Sequence, residues 1–262
     1  MTSKPPAREG TWEGVPVGAL ESRWGVPRLE VHPELPSTND RARDLATSGA
    51  PPFTVVLADA QTAGRGRHGR PWHSPREGGL WMSVLVRSGE GAAARRLLPL
   101  LVGLAAARAV ERTAPGVRVG LKWPNDLQVS GRKLAGVLCE AAPGGAMVVA
   151  GVGVNVRRDA ALPVDVRATA TSVEREAGAP ADRVSLAGAL LEELRRLLDT
   201  PVLRLEGDLA REVAERDVLR GRRVVLDDGR SGTSAGIGPD GALILEREGG
   251  RETVVAGSVR LA

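Results

Sequence analysis

The sequence predicts an α+β fold with a small β-barrel of SH3-like type at its C-terminus. Between residues 117 and 156, four short apolar stretches follow one another, joined by the connections PND, SGR and PGG. Connections this short favour antiparallel hairpins. Because the helical stretches lie outside this block and do not alternate with strands, the pattern indicates α+β and not α/β. From Gly221 onward the turn signals DG, PDG and EGG are closely spaced, which predicts a small barrel too short for an immunoglobulin sandwich.

The first predicted elements surround a glycine-rich loop. Residues 40–47 are expected to be helical because Ser37 or Thr38 can cap the helix, Asp40 is favourable in its first turn and Gly49 ends it. Residues 53–60 are apolar and β-branched, which predicts a strand that leads into the loop. Residues 79–87 predict the next strand.

The most apolar stretch, residues 97–110, is interrupted by Pro99 and Arg108 and is shorter than the roughly 20 apolar residues that cross a bilayer. It is predicted to lie in a long core helix at 95–113. Four strands are predicted next, at 117–123, 127–129, 133–142 and 147–156. Helices are predicted at 184–199, which is amphipathic, and at 203–219. We therefore expect a lead segment at 1–34, a main domain at 35–216 and a barrel domain at 217–262.

The composition argues against several classes of protein, including nucleic-acid binders and secreted proteins. The net charge of +4 arises from 36 Lys and Arg against 32 Asp and Glu, and the basic residues are scattered among acidic ones. Aromatic residues are too few for the stacking platforms of a single-strand binder. Cys139 is the only cysteine, and residues 1–10 show no signal peptide. These features predict a cytoplasmic protein with no membrane partner.

The stretch GRGRHGRPW, residues 64–72, begins as G-x-G-x-x-G, the pattern of a dinucleotide-binding turn. A helix must open directly behind the third glycine in that motif, and Pro71 and Pro75 make this unfavourable. The stretch is therefore interpreted as a glycine-rich loop whose arginines, Arg65, Arg67 and Arg70, bind an anion.

Residue types that are rare in this arginine-rich chain indicate further candidate site residues. The only lysines are Lys4, Lys122 and Lys133, and the last two suggest sites that need a compact ammonium. The only asparagines are residues 39, 125 and 155. Turn or cap formation is the alternative explanation for each asparagine, and a solvated strand-end lysine is the alternative for Lys133.

Five motifs together give a resemblance. STN at 37–39, QTAGRGRHGRPW at 61–72, KWPNDL at 122–127, KLAGVL at 133–138 and GVGVNV at 151–156 occur in the order found in biotin protein ligases, and the chain resembles that family over about residues 35–260. The resemblance implies a class II synthetase-like biotin/lipoate ligase core that uses ATP to activate biotin as biotinyl-5'-AMP. Biotin then passes to a lysine of a biotin carboxyl carrier protein. Only 36 residues precede Ser37, so the chain resembles the monofunctional class, and specific DNA binding is not expected.

The resemblance also implies site residues, with Lys133 and Arg67 as the catalytic ones. The implied biotin contacts are Ser37, Thr38, Asn39, Gln61, Gly64, Arg65, Gly66, Arg67, Lys133, Gly136, Leu138 and Gly153. The implied ATP or adenylate contacts are Arg67, Arg70, Trp72, Lys122, Asn125, Asp126, Lys133 and Asn155. Asp126 is also the expected ligand of Mg²⁺.

Other functions remain open at this point. A lipoate or octanoate ligase or transferase would share the fold and a lysine, although the arginine-rich loop favours biotin. A nucleic-acid-binding module and a catalytically inactive binding protein are further alternatives. The sequence leaves open the acceptor protein and whether the chain is a monomer or a homodimer.

Overall fold

The computed structural model describes residues 10–87, 89, 91–158, 160–199 and 202–262. In chain order its strands and helices are β1 (Thr11–Trp12), β2 (Val15–Pro16), α1 (Val17–Trp24), β3 (Arg28–His32), α2 (Thr38–Thr47), β4 (Thr54–Ala58), β5 (Gly79–Arg87), α3 (Gly91–Thr113), β6 (Gly120–Lys122), β7 (Asp126–Val129), β8 (Arg132–Ala141), β9 (Met147–Asn155), α4 (Val164–Thr169), α5 (Val173–Ala177), α6 (Arg183–Leu198), α7 (Gly207–Arg216), β10 (Arg223–Leu226), β11 (Ser231–Ile237), β12 (Leu243–Arg247), β13 (Gly250–Val254) and β14 (Val259–Leu261). None of the described helices is both long enough and apolar enough to cross a membrane.

A seven-stranded mixed sheet organises the main part of the chain, with the strand order β3-β4-β5-β9-β8-β7-β6. β3 and β4 are parallel, and the other neighbouring strands are antiparallel. Side chains alternate between the two faces of a strand. One face of the central strands packs in a large apolar cluster with α1, α3 and α6, and the other packs against α2. The α+β prediction is confirmed.

A separate five-stranded antiparallel sheet, in the order β13-β12-β11-β10-β14, follows α7. It has its own apolar cluster, to which Trp123 and Leu100 of the main part also contribute. Trp123 Nε1 donates to Gly241 O at 2.9 Å, and Arg96 Nη2 lies 2.7 Å from Asp240 Oδ2. The small sheet is consistent with the predicted SH3-like domain, and these contacts place it against the end of the main sheet.

The N-terminal region differs most from the sequence prediction. Residues 1–34 were expected to be a lead segment, but Val17, Leu20 and Trp24 of α1 are buried in the main apolar cluster. β3 then forms an edge of the main sheet. A boundary at residue 35 therefore separates β3 from the sheet to which it belongs. Three smaller differences are that α3 begins at Gly91, β6 begins at Gly120 and α7 covers only part of 203–219.

Glu30 of β3 is a buried carboxylate surrounded by cations. It is 1% exposed, and it accepts hydrogen bonds from Arg28 Nη2 and Arg41 Nε, both at 2.7 Å, with His32 Nε2 at 3.1 Å. Burial alone would raise the pKa of Glu30, but the hydrogen bonds from His32, Arg41 and Arg28 lower it from 4.5 to about 2. The charged form is therefore strongly favoured in the folded state.

Replacing Glu30 by glutamine should destabilise the protein by about 3 kcal/mol at pH 7, the value that corresponds to this pKa difference. Because the folded-state pKa is lowered, the stabilisation is present above pH 4.5 and is lost as the pH falls towards 2. Urea denaturation of Glu30→Gln and wild type at pH 7 and pH 3 measures the effect. Glu34→Gln, at an exposed carboxylate, is the matched control. Equal losses of stability in the two variants would contradict this account.

Candidate active site

A cavity of about 220 Å³ opens on the face of the main sheet that packs against α2. It lies between the start of α2, the glycine-rich loop after β4, the turn between β6 and β7, strands β8 and β9, and the residues at the start of β14. The sequence-predicted residues that line it are Ser37, Thr38, Asn39, Gln61, Arg65, Gly66, Arg67, Arg70, Trp72, Lys122, Asn125, Asp126, Lys133, Gly136, Leu138 and Gly153. The fold thus brings together motifs that are far apart in the sequence.

Gly64 and Asn155 are predicted site residues that do not line this cavity. Gly64 lies where the two sides of the loop meet, since Trp72 N donates to Gly64 O at 2.9 Å and an added Cβ would lie 2.5 Å from Trp72 O. Asn155 Nδ2 donates to Thr171 O at 3.1 Å, and Asn155 lines a neighbouring pocket of about 250 Å³. In the structure both residues fix the surrounding segments, and their contacts with ligand stay predictions.

One end of the cavity is a network of short neutral polar side chains. Gln61 Oε1 accepts from Thr38 N at 2.8 Å and lies 3.1 Å from Thr38 Oγ1, while Gln61 Nε2 donates to Ser74 Oγ at 2.8 Å. Ser83 Oγ, on β5, lies 2.8 Å from Thr38 Oγ1. This network of shared hydrogen bonds holds the start of α2 in one orientation.

The amide of Asn39 is oriented by the same network. Its Nδ2 donates to Glu140 Oε2 at 2.7 Å and to Leu138 O at 3.3 Å, and its Oδ1 accepts from Ser83 Oγ at 2.6 Å. Because both amide hydrogens are used, Asn39 can offer a ligand only the remaining acceptor position on Oδ1. That oxygen lies over Gly151, where a Cβ would come within 2.2 Å of it.

The other end of the cavity is cationic, although two of its positive side chains are neutralised. Arg65 forms a bidentate ion pair with Asp40, with N–O distances of 2.5 and 2.7 Å. Lys133 Nζ lies 2.7 Å from Asp126 Oδ1. The sequence analysis did not predict a carboxylate partner for either Arg65 or Lys133.

Arg67, Arg70 and Lys122 have no carboxylate partner among the residues that the structure describes. Burial lowers the pKa of the Lys122 ammonium; Asp126 raises it, and Lys133 and Arg70 lower it. Burial likewise lowers the pKa of the Arg67 guanidinium. The excess positive charge favours an anionic ligand at this end of the cavity.

The C-terminal sheet also reaches the cavity, which the sequence analysis did not predict. Arg67 Nη1 donates to Gly257 O at 3.0 Å, a contact between residues 190 positions apart. Ser258 and Val259 line the cavity beside it. No motif in the sequence signals this contact, because it depends on how the two sheets pack.

Trp72 lies on a floor made of backbone. Gly136 and Gly153 face each other across β8 and β9, and an added Cβ would lie 3.2 Å and 2.5 Å, respectively, from the indole. Lys133 Nζ lies 5.2 Å from the ring centroid, within the range of a cation–π contact. Trp72 Nε1 is buried against Gly153 and has no hydrogen-bond partner in the described structure.

Trp72 is an implied adenylate contact, so Gly153→Ala, which should displace the indole, is expected to weaken ATP binding more than Gly136→Ala does. The reason is the shorter distance from the added Cβ to the indole at residue 153, 2.5 Å compared with 3.2 Å. Titration of each variant with ATP, monitored by calorimetry, measures the difference. Equal affinities in both variants would show that the indole does not depend on this floor.

Comparison with known proteins identifies the family. The biotin/lipoate A/B protein ligase family matches residues 31–156. The biotin–[acetyl-CoA-carboxylase] ligase of Mycobacterium tuberculosis is 38% identical over 262 aligned residues, which cover 97% of this chain and 94% of that protein. The chain belongs to the biotin/lipoate A/B protein ligase family. Every sequence-predicted site residue lies within the matched range 31–156, whereas Ser258 and Val259 lie outside it.

Solved structures of this ligase family have the same fold. The biotin protein ligase from Aquifex aeolicus in complex with biotin and ATP has a TM-score of 0.78 and 26% identity, and the match covers 90% of this chain and 100% of that one. The biotin protein ligase from Leishmania major in complex with biotinyl-5-AMP has a TM-score of 0.60 and 26% identity, with 88% and 99% covered.

The sequence analysis missed several residues that line the cavity. They are Pro71, Met82, Trp123, Pro124, Val137, Gly151, Val152, Ser258 and Val259. Six of the first seven, at positions 71, 123, 124, 137, 151 and 152, belong to the quoted motifs, so their position in those motifs was the available signal.

Proposed function

We propose that this chain uses ATP to activate biotin as biotinyl-5'-AMP and then transfers biotin to a lysine of a biotin carboxyl carrier protein. The observation that carries the proposal is one cavity with a neutral polar end around Asn39 and a cationic end around Arg67, with Lys133 on β8, the strand that lines both ends. An uncharged ureido head suits the first end, and a triphosphate suits the second. The Mycobacterium tuberculosis relative, a biotin–[acetyl-CoA-carboxylase] ligase, and the Aquifex aeolicus complex with biotin and ATP support the same substrates.

In the first step, a carboxylate oxygen of biotin forms a bond to the α-phosphorus of ATP, and the bond from that phosphorus to the bridging oxygen breaks to release pyrophosphate. Both reactants are anions, so the site must offset their repulsion. Arg67, Arg70 and Lys122 provide positive charge without a carboxylate partner of their own. The ammonium of Lys133 stabilises charge that develops on the reacting oxygens, which is the largest contribution in most such sites.

In the second step, the amine of the acceptor lysine attacks the acyl carbon of the mixed anhydride, and AMP leaves with the electron pair of the broken C–O bond. The mixed anhydride reacts with water, so the cavity must stay covered until the acceptor arrives. The contact from Arg67 to Gly257 O places the glycine-rich loop against the C-terminal sheet over one side of the cavity. The carrier domain is the partner that this step requires.

Mg²⁺ accompanies ATP in this proposal. Asp126 is the one carboxylate among the described residues that line the cavity, and no described group of three or more candidate ligands could hold a metal by itself. A Mg²⁺ bound by one carboxylate and the substrate phosphates is a common arrangement. Asp126 therefore fits as the protein ligand, and the ion would neutralise phosphate charge.

We further propose a cytoplasmic enzyme that needs no DNA for activity. The positive side chains at the cavity belong to its cationic end, described above, and do not form a separate basic helix. A duplex added to the assay below should leave the rate unchanged, and sedimentation of the same preparation distinguishes a monomer from a homodimer.

The decisive experiment is exchange of labelled pyrophosphate into ATP with biotin, lipoate or octanoate as the acid. We expect exchange with biotin and little with the other two, followed by biotin attachment when a carrier domain is added. Exchange with lipoate or octanoate but not with biotin would replace the proposed substrate by the alternative within the same family. A carrier domain whose acceptor lysine is changed to arginine is the matched control for the transfer step.

A further inference from the structure

A row of polar and charged side chains runs along α2 and includes Glu140 from β8 and Arg65 from the glycine-rich loop, so that it connects the two ends of the cavity. It runs from Asn39 through Glu140, Arg43 and Asp40 to Arg65, and we call it the α2 charge row. Arg43 occupies its centre, with Nη2 3.0 Å from Glu140 Oε1 and Nη1 2.7 Å from Asp40 Oδ1. The two carboxylates and two guanidiniums of the row balance in charge, so each member has a charged partner on the described structure.

Glu140, together with Leu138 O, determines which way the Asn39 amide faces. A carboxylate only accepts hydrogen bonds, so Asn39 must present Nδ2 to Glu140 Oε2, 2.7 Å away. Oδ1 then faces Ser83 and the cavity floor. An acceptor in this position recognises a ligand N–H. The ureido group of biotin has such donors, and the corresponding ends of octanoate and lipoate have none.

Asp40 determines where Arg65 lies. Both terminal nitrogens of the guanidinium donate to the carboxylate, a fork geometry that restricts orientation as well as distance. These hydrogen bonds from Arg65 lower the pKa of Asp40, so its carboxylate stays charged. Arg65 is two residues before Arg67, so the same ion pair fixes the start of the glycine-rich loop beside the cavity.

We propose that Glu140, Arg43 and Asp40 are positioning residues that set two ligand-facing groups at once, the acceptor oxygen of Asn39 and the guanidinium of Arg65. None of the three lines the cavity. They therefore act through residues that do, and the row couples selection of the biotin head to placement of the loop. This inference rests on the proposed function.

Three variants give separable results when pyrophosphate exchange measures KM for biotin and filtration of free biotinyl-AMP measures retention. Glu140→Gln should raise KM for biotin, because a neutral amide holds Asn39 Nδ2 less strongly than the carboxylate does and leaves only Leu138 O as a firm acceptor. Asp40→Asn should shorten the time for which biotinyl-AMP stays bound, because Arg65 loses its ion pair. Arg43→Gln should do both. Each change is expected to be about three- to tenfold, as for charged pairs that are about one-third exposed, with kcat at saturating biotin within about twofold of wild type.

Asp44→Asn is the matched control, since it removes one exposed negative charge from α2 outside the row. A purely structural role would lower the melting temperature in all three variants and leave KM and retention unchanged, which would overturn the inference. A double variant of Asp40→Asn with Arg43→Gln should lose less retention than the sum of the single losses, because the residues share contacts. Failure of the wild-type protein to support exchange would instead refute the proposed function.

Discussion

Lys133→Arg is expected to slow biotin-dependent adenylation by about 10²- to 10³-fold, the usual cost of losing one preorganised charged group at a reacting centre. Arginine keeps the positive charge of residue 133, so the loss of adenylation rate arises from the different shape of the guanidinium. Lys133 Nζ lies 2.7 Å from Asp126 Oδ1, and its last atoms lie over Gly136, where an added Cβ would be 3.5 Å from Cε. A longer planar guanidinium cannot place its charge at the same point between carboxylate and indole.

Single-turnover formation of biotinyl-AMP measures this effect without the transfer step. Arg132→Lys is the matched control: it exchanges the same two residue types one position away, and Arg132 forms an ion pair with Glu176 at 3.1 Å. We expect the control to adenylate biotin at nearly the wild-type rate. Near-normal adenylation by Lys133→Arg would show that Lys133 is only a solvated lysine at the end of a strand and has no catalytic role.

Arg67→Gly is expected to form biotinyl-AMP but to release it, with retention about ten- to over a hundredfold weaker. The estimate follows from the loss of one charge-assisted hydrogen bond, worth about 1.5–3 kcal/mol. The substitution also removes the contact from the loop to Gly257 O. Free biotinyl-AMP in a filtrate, together with labelling of bystander proteins, reports the loss.

Two further variants separate charge from backbone freedom. Arg67→Gln keeps a side chain in place and should release the intermediate nearly as fast as Arg67→Gly, because it lacks the charge. Arg76→Gly adds the same flexibility shortly after the loop, at an exposed arginine that contacts Glu34 and Pro33 O. It should retain the intermediate as well as wild type does. Retention by Arg67→Gln at the wild-type level would mean that the charge is not what holds the adenylate.

The sequence predicted those parts of the site that are encoded in short motifs. A glycine beside an arginine, or a lysine in a chain that otherwise uses arginine, reflects a local requirement and is visible without a structure. The ion pairs were not visible, because Asp40 and Arg65 are 25 positions apart and meet only after α2 packs on the sheet. β3 was missed for a similar reason, since its partner β4 lies beyond α2 in the sequence.

The backbone floor of the cavity bears on how this protein could be re-engineered for other acids. Gly136, Gly151 and Gly153 leave no side chains there to exchange, and an added Cβ at the last two would come within 2.5 Å of Asn39 or Trp72. Altered acid selectivity must therefore come from side chains beside the floor, such as Leu138, which pairs with Gly151 and lines the cavity, and not from Met82 or Val152, which are buried in the main apolar cluster. A library at Leu138 should yield folded proteins with new chain-length preferences, whereas libraries on the floor should mostly lose nucleotide binding.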